Sequence, residues 1–427
     1  MKTLDRSIPP QANDFEDYMP TPPEMRLSPN GIHSYYFQNE FLELLHFTIL
    51  VKAGKNHEKT KCVAETCYKV LKEHRKGETS DEFSSIIDSF GATLSVNVYM
   101  ESVYINMLVP KRNAVAFMKI VFELLLNPSF EENDINIYKQ RKIRDLQYYL
   151  LKVDTRAFQL LYNNFFEKGT PTQTIISEEL INAVTAEQIE GFYKESFCAE
   201  NITFFAAGCL DKDIKNELGE LLARIPRGKK IELVSLISAG NVEKKIFERR
   251  AESMQSAVVL CRKLSMSTPQ FDHELDFVTT LLGNYFGSRL MQNLREKNGY
   301  TYGISCESVR FGKSILLYIT SEVNAENCGK AIDECYKEMR RLQDETVGEE
   351  ELQLVRNYMQ GQLLRSVDGV TSFMKYFCSC HLKGYSEDEF MKKREIIRNI
   401  TAARVKEIAG EVFCGADFSE IVVGNRN

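Results

Sequence analysis

The stretch "LLGNYFGSRLMQNLREKNGYTYGISCES", residues 281–308, combines a helical pattern with the start of a strand. The helix is predicted to end at Gly299, because glycine readily adopts the left-handed conformation that closes many helices. Arg295 precedes this stop and Tyr302 follows it. Local spacing alone favours a structural interpretation. In that interpretation Arg295 offsets the helix dipole, and Tyr302 packs in a core on the strand face that it shares with Tyr300.

The rest of the chain has the composition of a globular protein with more than one domain. Its 427 residues, 43% of them hydrophobic and 27% charged, exceed what one typical core holds. A net charge of −6 without a basic stripe argues against nucleic-acid binding, and no apolar run is long enough to span a membrane. The N-terminus has no apolar signal core, and the eleven cysteines are scattered. We therefore predict reduced thiols and a cytoplasmic location.

Four segments are predicted along the chain. Residues 1–30 are expected to form an extended arm, because six of the eleven prolines lie within the first 29 residues. Residues 31–225 form a first domain of strands and helices. Residues 226–245 contain Pro, Gly and a basic cluster and are predicted to be a linker. Residues 246–427 form a second domain.

The two domains show the same order of patterns. "YINMLVPKRNAVAFMKIVFELL" (104–125) and "LLYITSEVNAENCGKAIDECYKEM" (316–339) each pass from an alternating strand into an amphipathic helix. A long helical region is expected to follow in the first half, from about Glu131 into the 160s. The pattern predicts an α+β fold built from a repeated unit of about 200 residues.

Residues 281–308 resemble the second-half motif of the M16 metallopeptidases, the family of insulinase and the mitochondrial processing peptidase. The matching residues are Gly283, Ser288, Arg289, Leu290, Leu294, Arg295, Glu296, Lys297, Gly299 and Tyr302. A fainter match, "FSSIIDSFGATLSVNVYMESVYI", lies in the first half. The resemblance implies two homologous α/β domains of the LuxS/MPP-like type. Each would have an antiparallel-rich sheet with helices on one face, and together they would form half of a clamshell.

Active members of this family bind zinc through His-x-x-Glu-His on a first-half helix and a further Glu from a long helix downstream. Two His side chains four apart share a helix face, and the Glu activates the metal-bound water. The present sequence has no such motif, and no two of its six histidines lie within one helical turn. The family's spacing, counted back from Gly91, places Glu65 at the position of the first His, Tyr68 at the position of the Glu and Lys69 at the position of the second His.

A second segment partly resembles the His-x-x-Glu-His motif. "VLKEH", residues 70–74, contains Glu73 and His74, which we interpret as solvated surface. No Glu occurs between Asn133 and Phe166, and "YKQRKIRDLQYY" (138–149) supplies cations that would oppose Zn²⁺. The resemblance therefore implies that this chain binds no metal. An independent metallopeptidase using Glu65, Glu73 and His74 is a weaker hypothesis, since these residues form no standard zinc spacing.

Zinc-free M16 proteins often pair with a zinc-bearing relative. The chain resembles the YmfF-like members, which are associated with 5-aminopentanol modification of translation elongation factor P. The resemblance implies a non-catalytic subunit of a heterodimer, with zinc held by a paralogue of similar length and a peptide or unfolded polypeptide as substrate. Arg295 and Tyr302 would face the shared chamber as hydrogen-bond donors, with Tyr300 a weaker candidate. With the family motif intact around both residues, the functional interpretation is favoured over the structural one.

The sequence is also compatible with two functions other than that of a peptidase subunit. The chain could be a structural or peptide-binding scaffold without a role in proteolysis. It could also be a partner in the maturation of a ribosomally made peptide.

Overall fold

The computed structural model of the chain describes Ser7 and residues 19–232, 242–265, 268–312 and 314–425. The strands of the first half are β1 (Glu24–Leu27), β2 (His33–Gln38), β3 (Leu44–Val51), β4 (Thr93–Val98), β5 (Val103–Pro110) and β6 (Ile202–Gly208). Its helices are α1 (Val63–Leu71), α2 (Ser80–Ser89), α3 (Ala114–Leu126), α4 (Glu132–Leu150), α5 (Val153–Phe165), α6 (Glu178–Asn182), α7 (Ala186–Ser196) and α8 (Lys212–Ala223).

The second half repeats this alternation. Its strands are β7 (Lys245–Arg249), β8 (Gln255–Leu264), β9 (Thr301–Phe311), β10 (Ser314–Asn324) and β11 (Ser419–Gly424). Its helices are α9 (Pro269–Gly283), α10 (Cys328–Asp344), α11 (Glu349–Arg365), α12 (Gly369–Leu382), α13 (Glu389–Asn399) and α14 (Ala402–Val412). A π-helical segment, Met291–Lys297, lies between α9 and β9.

The two sheets have the same topology. Over the described residues the first sheet has the order β1-β2-β6-β3-β5-β4 and the second the order β7-β11-β8-β10-β9. Without the edge strand β1 the two orders correspond strand by strand. Each sheet contains one parallel pair, β2 with β6 and β7 with β11, and is otherwise antiparallel. The predicted α+β fold of two homologous domains is confirmed.

Each half packs its own helices on one face of its sheet, as the resemblance implied, and one helix from the other half covers the opposite face. Phe47 and Ile49 of β3 pack in the core formed with the first half's own helices, whereas Leu50 faces the core of the second half. Helix α12 crosses over the first sheet, where the Phe377 ring lies 5.0 Å from that of Tyr35. This double coverage explains why β3 is apolar along nearly its whole length.

Helix α5 makes the reciprocal crossing onto the second sheet. Leu161 and Phe165 of α5 pack with Val259 of β8 and Ile421 of β11. The predicted helical region from about Glu131 into the 160s consists of two helices, because α4 ends at Leu150 and α5 begins at Val153. The interruption lets α5 leave the first half and cover the other sheet.

The proposed arm and linker contain ordered contacts where the structure describes them. Residues 24–27 of the arm form β1, which pairs antiparallel with β2. In the linker segment the Gly228 amide donates to Glu200 Oε2 at 2.6 Å, so this part lies against the first half. Linker residues 233–241 are outside the described residues. Among the helices that the structure describes, none is long and apolar enough to cross a membrane.

Candidate functional site

The motif segment begins where α9 packs directly on β9. A Cβ atom at Gly283 would lie 2.7 Å from the Cβ of Cys306 and 2.8 Å from its backbone nitrogen. Real side chains do not approach so closely, so only glycine fits this contact. Leu290 and Leu294 are fully buried and hold the following turns against the same core.

Two polar side chains of the motif anchor it to neighbouring helices. Arg289 donates from Nε and Nη2 to the two carboxylate oxygens of Glu351 on α11, at 2.8 and 2.9 Å. The Asn293 amide donates to both Glu334 and Glu338 of α10, each at 2.7 Å. The segment is therefore positioned by charge-assisted hydrogen bonds from two helices.

Arg295 lies at the end of this anchored segment. Its guanidinium carbon lies 4.9 Å from the centre of the Phe286 ring, and its Nε lies 3.4 Å from Glu296 Oε1. The backbone carbonyl of Arg295 accepts a hydrogen bond from Gly299, whose φ of +64° ends the helix. Arg295 is thus both near a helix end and half-exposed, with its cation resting on an aromatic ring.

Tyr302 points away from the core because β9 contains a bulge. Thr301 is opposite Val323 and Ile304 is opposite Ser321, so two residues of β9 face a single residue of β10 between these pairs. Tyr302 is 87% exposed, whereas Ile304 is 6% exposed. The interpretation of Tyr302 as core packing, which assumed strict alternation, is therefore wrong.

Tyr300 has a different environment from Tyr302. It precedes β9, is partly buried, and packs against the core of the second half. Its backbone nitrogen donates to Leu294 O at 2.8 Å, which fixes the turn between the helical segment and the strand. Its surroundings are those of a packing residue.

Tyr302 and Phe286 line one cleft of about 740 Å³ between the two halves. Helix α5 contributes Asp154 and Phe158 to the same cleft, and β10 contributes Glu322. Burial and the nearby Asp154 raise the pKa of the Glu322 carboxyl. The cleft therefore offers a phenol, exposed rings and carboxylates, with the Arg295 guanidinium stacked on one of its lining rings.

Sequence reasoning missed Phe286 and the contribution of α5. The signal for Phe286 was an aromatic residue between Asn284 and Gly287, in a connection where a surface loop would be polar. No sequence signal placed Asp154 near Tyr302, because only the crossing of α5 brings them together.

In the first half, Glu65, Tyr68 and Lys69, the residues at the metal-motif positions, contact different partners and form no common site. Glu65 of α1 forms ion pairs with Lys55 at 2.9 Å and with Lys142 of α4 at 2.8 Å. Burial alone would raise the pKa of the Glu65 carboxyl, but the two ammonium groups outweigh it and lower the pKa to about 2. The carboxylate is thus already paired with two cations.

Tyr68 and Lys69 point in different directions from the same helix. The Tyr68 ring is fully buried, and its hydroxyl hydrogen-bonds Ser196 at 2.9 Å. The Lys69 ammonium donates to Val96 O of β4 at 2.6 Å. A carboxylate, a buried phenol and an ammonium do not provide the imidazole ligands that zinc requires.

His74 lies beyond the end of α1 and is buried. Its Nε2 is 2.7 Å from Asp134 Oδ2, and its Nδ1 is 2.9 Å from Arg75 O. Despite the opposing effect of burial, these two hydrogen bonds raise the pKa of the imidazole. The prediction of solvated surface is therefore wrong for His74, whereas Glu73 lies partly exposed between Lys72 and Arg141.

Across the described parts of the chain, no group of three or more His, Cys, Asp or Glu side chains could hold a metal ion. On α1 the site facing α4 contains one carboxylate between two ammonium groups. This arrangement does not fit a divalent cation, because a cation there would meet two positive charges within the same contact distance.

Comparison with known proteins finds similarity to M16 peptidases. Residues 183–359 match the family described as Peptidase M16 inactive domain. The chain is similar to an uncharacterized zinc protease of Rickettsia bellii, with 21% identity over 413 residues, covering 93% of this chain and 96% of that protein. It is also similar to the mitochondrial-processing peptidase subunit beta of Dictyostelium discoideum, with 23% identity over 311 residues, covering 69% and 66% of the two chains.

Solved structures share the fold at low identity. The peptidase M16 inactive domain from Pseudomonas fluorescens has a TM-score of 0.86 at 15% identity, with 95% of this chain and 98% of that chain covered. A protease from Helicobacter pylori has a TM-score of 0.84 at 12% identity, with 95% and 100% covered. The chain is thus similar in sequence to zinc proteases over most of its length, residues 183–359 match the model of the M16 inactive domain, and the fold is shared with solved M16 structures.

Proposed function

We propose that this chain is a non-catalytic, substrate-binding subunit of a heterodimeric M16-type zinc peptidase. The observation that carries the proposal is the contrast between its two halves. The second half presents Tyr302 in an open cleft next to Phe286, whose ring carries the Arg295 guanidinium. In the first half, cations are paired with the carboxylate at the position of the metal motif.

The cleft suits an extended peptide. The phenol of Tyr302 and the guanidinium of Arg295 donate hydrogen bonds, which peptide carbonyl oxygens accept. Phe286 and Phe158 offer apolar surface for side chains, and Asp154 and Glu322 favour cationic ones. A zinc-bearing paralogue of similar length would supply the metal and its activated water. This chain would then hold the peptide and stabilise the oxyanion that forms on attack.

The location and substrate follow from the resemblance rather than from the geometry. We propose a cytoplasmic heterodimer that acts on peptides or unfolded polypeptides, with a role in the elongation factor P modification system. The relatives named as zinc proteases and as a processing peptidase subunit support a proteolytic setting.

The proposal is tested by expressing the chain alone, its zinc-bearing genomic neighbour alone, and both together, and by measuring cleavage of an unfolded polypeptide. We expect activity only from the pair. Substitution Tyr302→Phe or Arg295→Ala should lower kcat of the pair by about 100- to 1,000-fold, as expected for loss of one preorganised donor. The control Tyr148→Phe, which also alters an exposed tyrosine, should leave kcat unchanged.

Three outcomes would contradict the proposal. These are cleavage by this chain alone with stoichiometric zinc, full activity of the neighbour alone, and variants at Arg295 and Tyr302 that behave like Tyr148→Phe. The last outcome would favour the scaffold function. Since Tyr302 is 87% exposed, its substitution should not alter folding, and a loss of activity can be assigned to the cleft.

A further inference from the structure

Three separate elements of the first half converge on one carboxylate. Lys55 comes from the short 3₁₀ turn Lys55–His57 after β3, Glu65 from α1 and Lys142 from α4. The two ammonium groups lie 2.9 and 2.8 Å from the same atom, Glu65 Oε2. The side chains of Glu65 and Lys142 are only 21% and 15% exposed, so the pair is well shielded from water.

The neighbouring hydroxyl group belongs to the same cluster. Burial, together with the nearby Glu65 carboxylate, raises the pKa of the Tyr138 hydroxyl, which lies on α4 one turn before Lys142. The phenol therefore stays protonated and can donate to the carboxylate. Glu65 is thus surrounded by two cations and a neutral donor.

Lys69, one turn further along α1, connects this helix to the first sheet. Its ammonium donates to the carbonyl oxygen of Val96 at 2.6 Å. Val96 belongs to β4, the strand at one edge of the first sheet. This hydrogen bond ties α1 to the edge strand.

We propose that Lys55, Glu65, Lys69 and Lys142 form an internal ion lock, in which protein ammonium groups take the place of a metal ion and keep divalent cations away from this face. The lock joins α1 to α4, to the turn after β3 and to the edge strand. It is independent of the proposed partner, since it concerns only contacts within this chain.

The ion lock predicts a specific role for the Lys142 ammonium group in preventing zinc binding. Restoring two imidazoles on α1 should not restore tight zinc binding as long as the Lys142 ammonium remains, because its charge repels the metal. A carboxylate at the same position would instead supply a third ligand.

The experiment compares three proteins that all carry Glu65→His and Lys69→His. The first keeps Lys142, the second adds Lys142→Gln and the third adds Lys142→Glu. Zinc affinity is measured by competition with a chromophoric chelator, and folding is checked by circular dichroism. We expect affinity to rise by at least about tenfold from the first protein to the second, because removing one like charge is worth that much at short range. The third protein should bind about one zinc ion most tightly. Equal affinity in the first and second proteins would overturn the proposal.

A second measurement does not depend on the histidine variants folding. Urea unfolding of the unaltered chain, Glu65→Gln, Lys142→Gln and the double variant forms a double-mutant cycle. We expect the double variant to be more stable than the sum of the single effects predicts, by at least about tenfold in the unfolding equilibrium constant. Additive effects would show that Lys142 and Glu65 do not act together, and would refute the lock. Failure of the peptidase assay described above would leave both of these measurements unaffected.

Discussion

His46 is predicted to make the junction between the halves sensitive to acid. It lies on β3, is 9% exposed, and lines a cleft together with Lys375 of α12. Burial, reinforced by the Lys375 charge, lowers the pKa of the His46 imidazole from 6.5 to about 4. The folded chain therefore holds His46 neutral under conditions in which the unfolded chain protonates it.

The sign and size of the effect follow from this difference. Well above pH 6.5 the imidazole is neutral in both states and contributes nothing to the pH dependence. Between pH 6.5 and about 4 the unfolded state binds the extra proton, so the free energy of unfolding falls as the pH falls. A difference of 2.5 pKa units, at 1.36 kcal/mol each, corresponds to about 3 kcal/mol lost by pH 4.

Two measurements check this prediction. Histidine-selective ¹³C NMR should show two of the six imidazoles, those of His46 and His381, titrating near pH 4, and only the His46 signal should be absent from His46→Gln. Urea unfolding of the unaltered chain and His46→Gln should diverge below pH 6.5, with the variant losing less stability per pH unit. An imidazole of His46 that titrates near 6.5, or parallel stability curves for the two proteins, would refute the reasoning.

Two further predictions concern the anchoring of the motif segment. Gly283→Ala should destabilise the chain by about 1–3 kcal/mol in urea unfolding, because its Cβ would lie 2.7 Å from the Cβ of Cys306. Gly361→Ala in α11 has no neighbouring atom within 4 Å and should be neutral or stabilise by up to about 1 kcal/mol, and equal effects at both glycines would contradict the close contact. Arg289→Lys should cost about 1–3 kcal/mol, since lysine cannot keep both hydrogen bonds to Glu351. Adding Glu351→Gln to Arg289→Lys should then cost little more, whereas a full second loss would show that the pair is not coupled.

Most of the fold could be predicted because it is encoded in local patterns. Alternating apolar residues and turn signals placed β2 and β3, and helical spacing placed α1 and α3. The repeated order of these patterns in the second half predicted two homologous domains, which the matching sheet orders confirm.

The candidate site was less predictable, because its geometry depends on departures from local rules. Strict alternation along β9 places Tyr302 beside Tyr300, but the bulge between Thr301 and Ile304 turns it outward. A bulge of this kind is set by pairing with β10, and pairing is not visible in one strand's sequence.

The order of the elements, the helix end at Gly299 and the absence of His-x-x-Glu-His can all be read from the sequence. Which charged side chains pair with each other depends on the folded chain, because contacts such as Lys142 with Glu65 join residues far apart in the sequence. The tertiary structure also buries His74 against Asp134 and brings α5 to the cleft of Tyr302. The physical reason is that periodicity specifies which face of an element is apolar, whereas the partner of a polar side chain depends on how the packed elements lie in space.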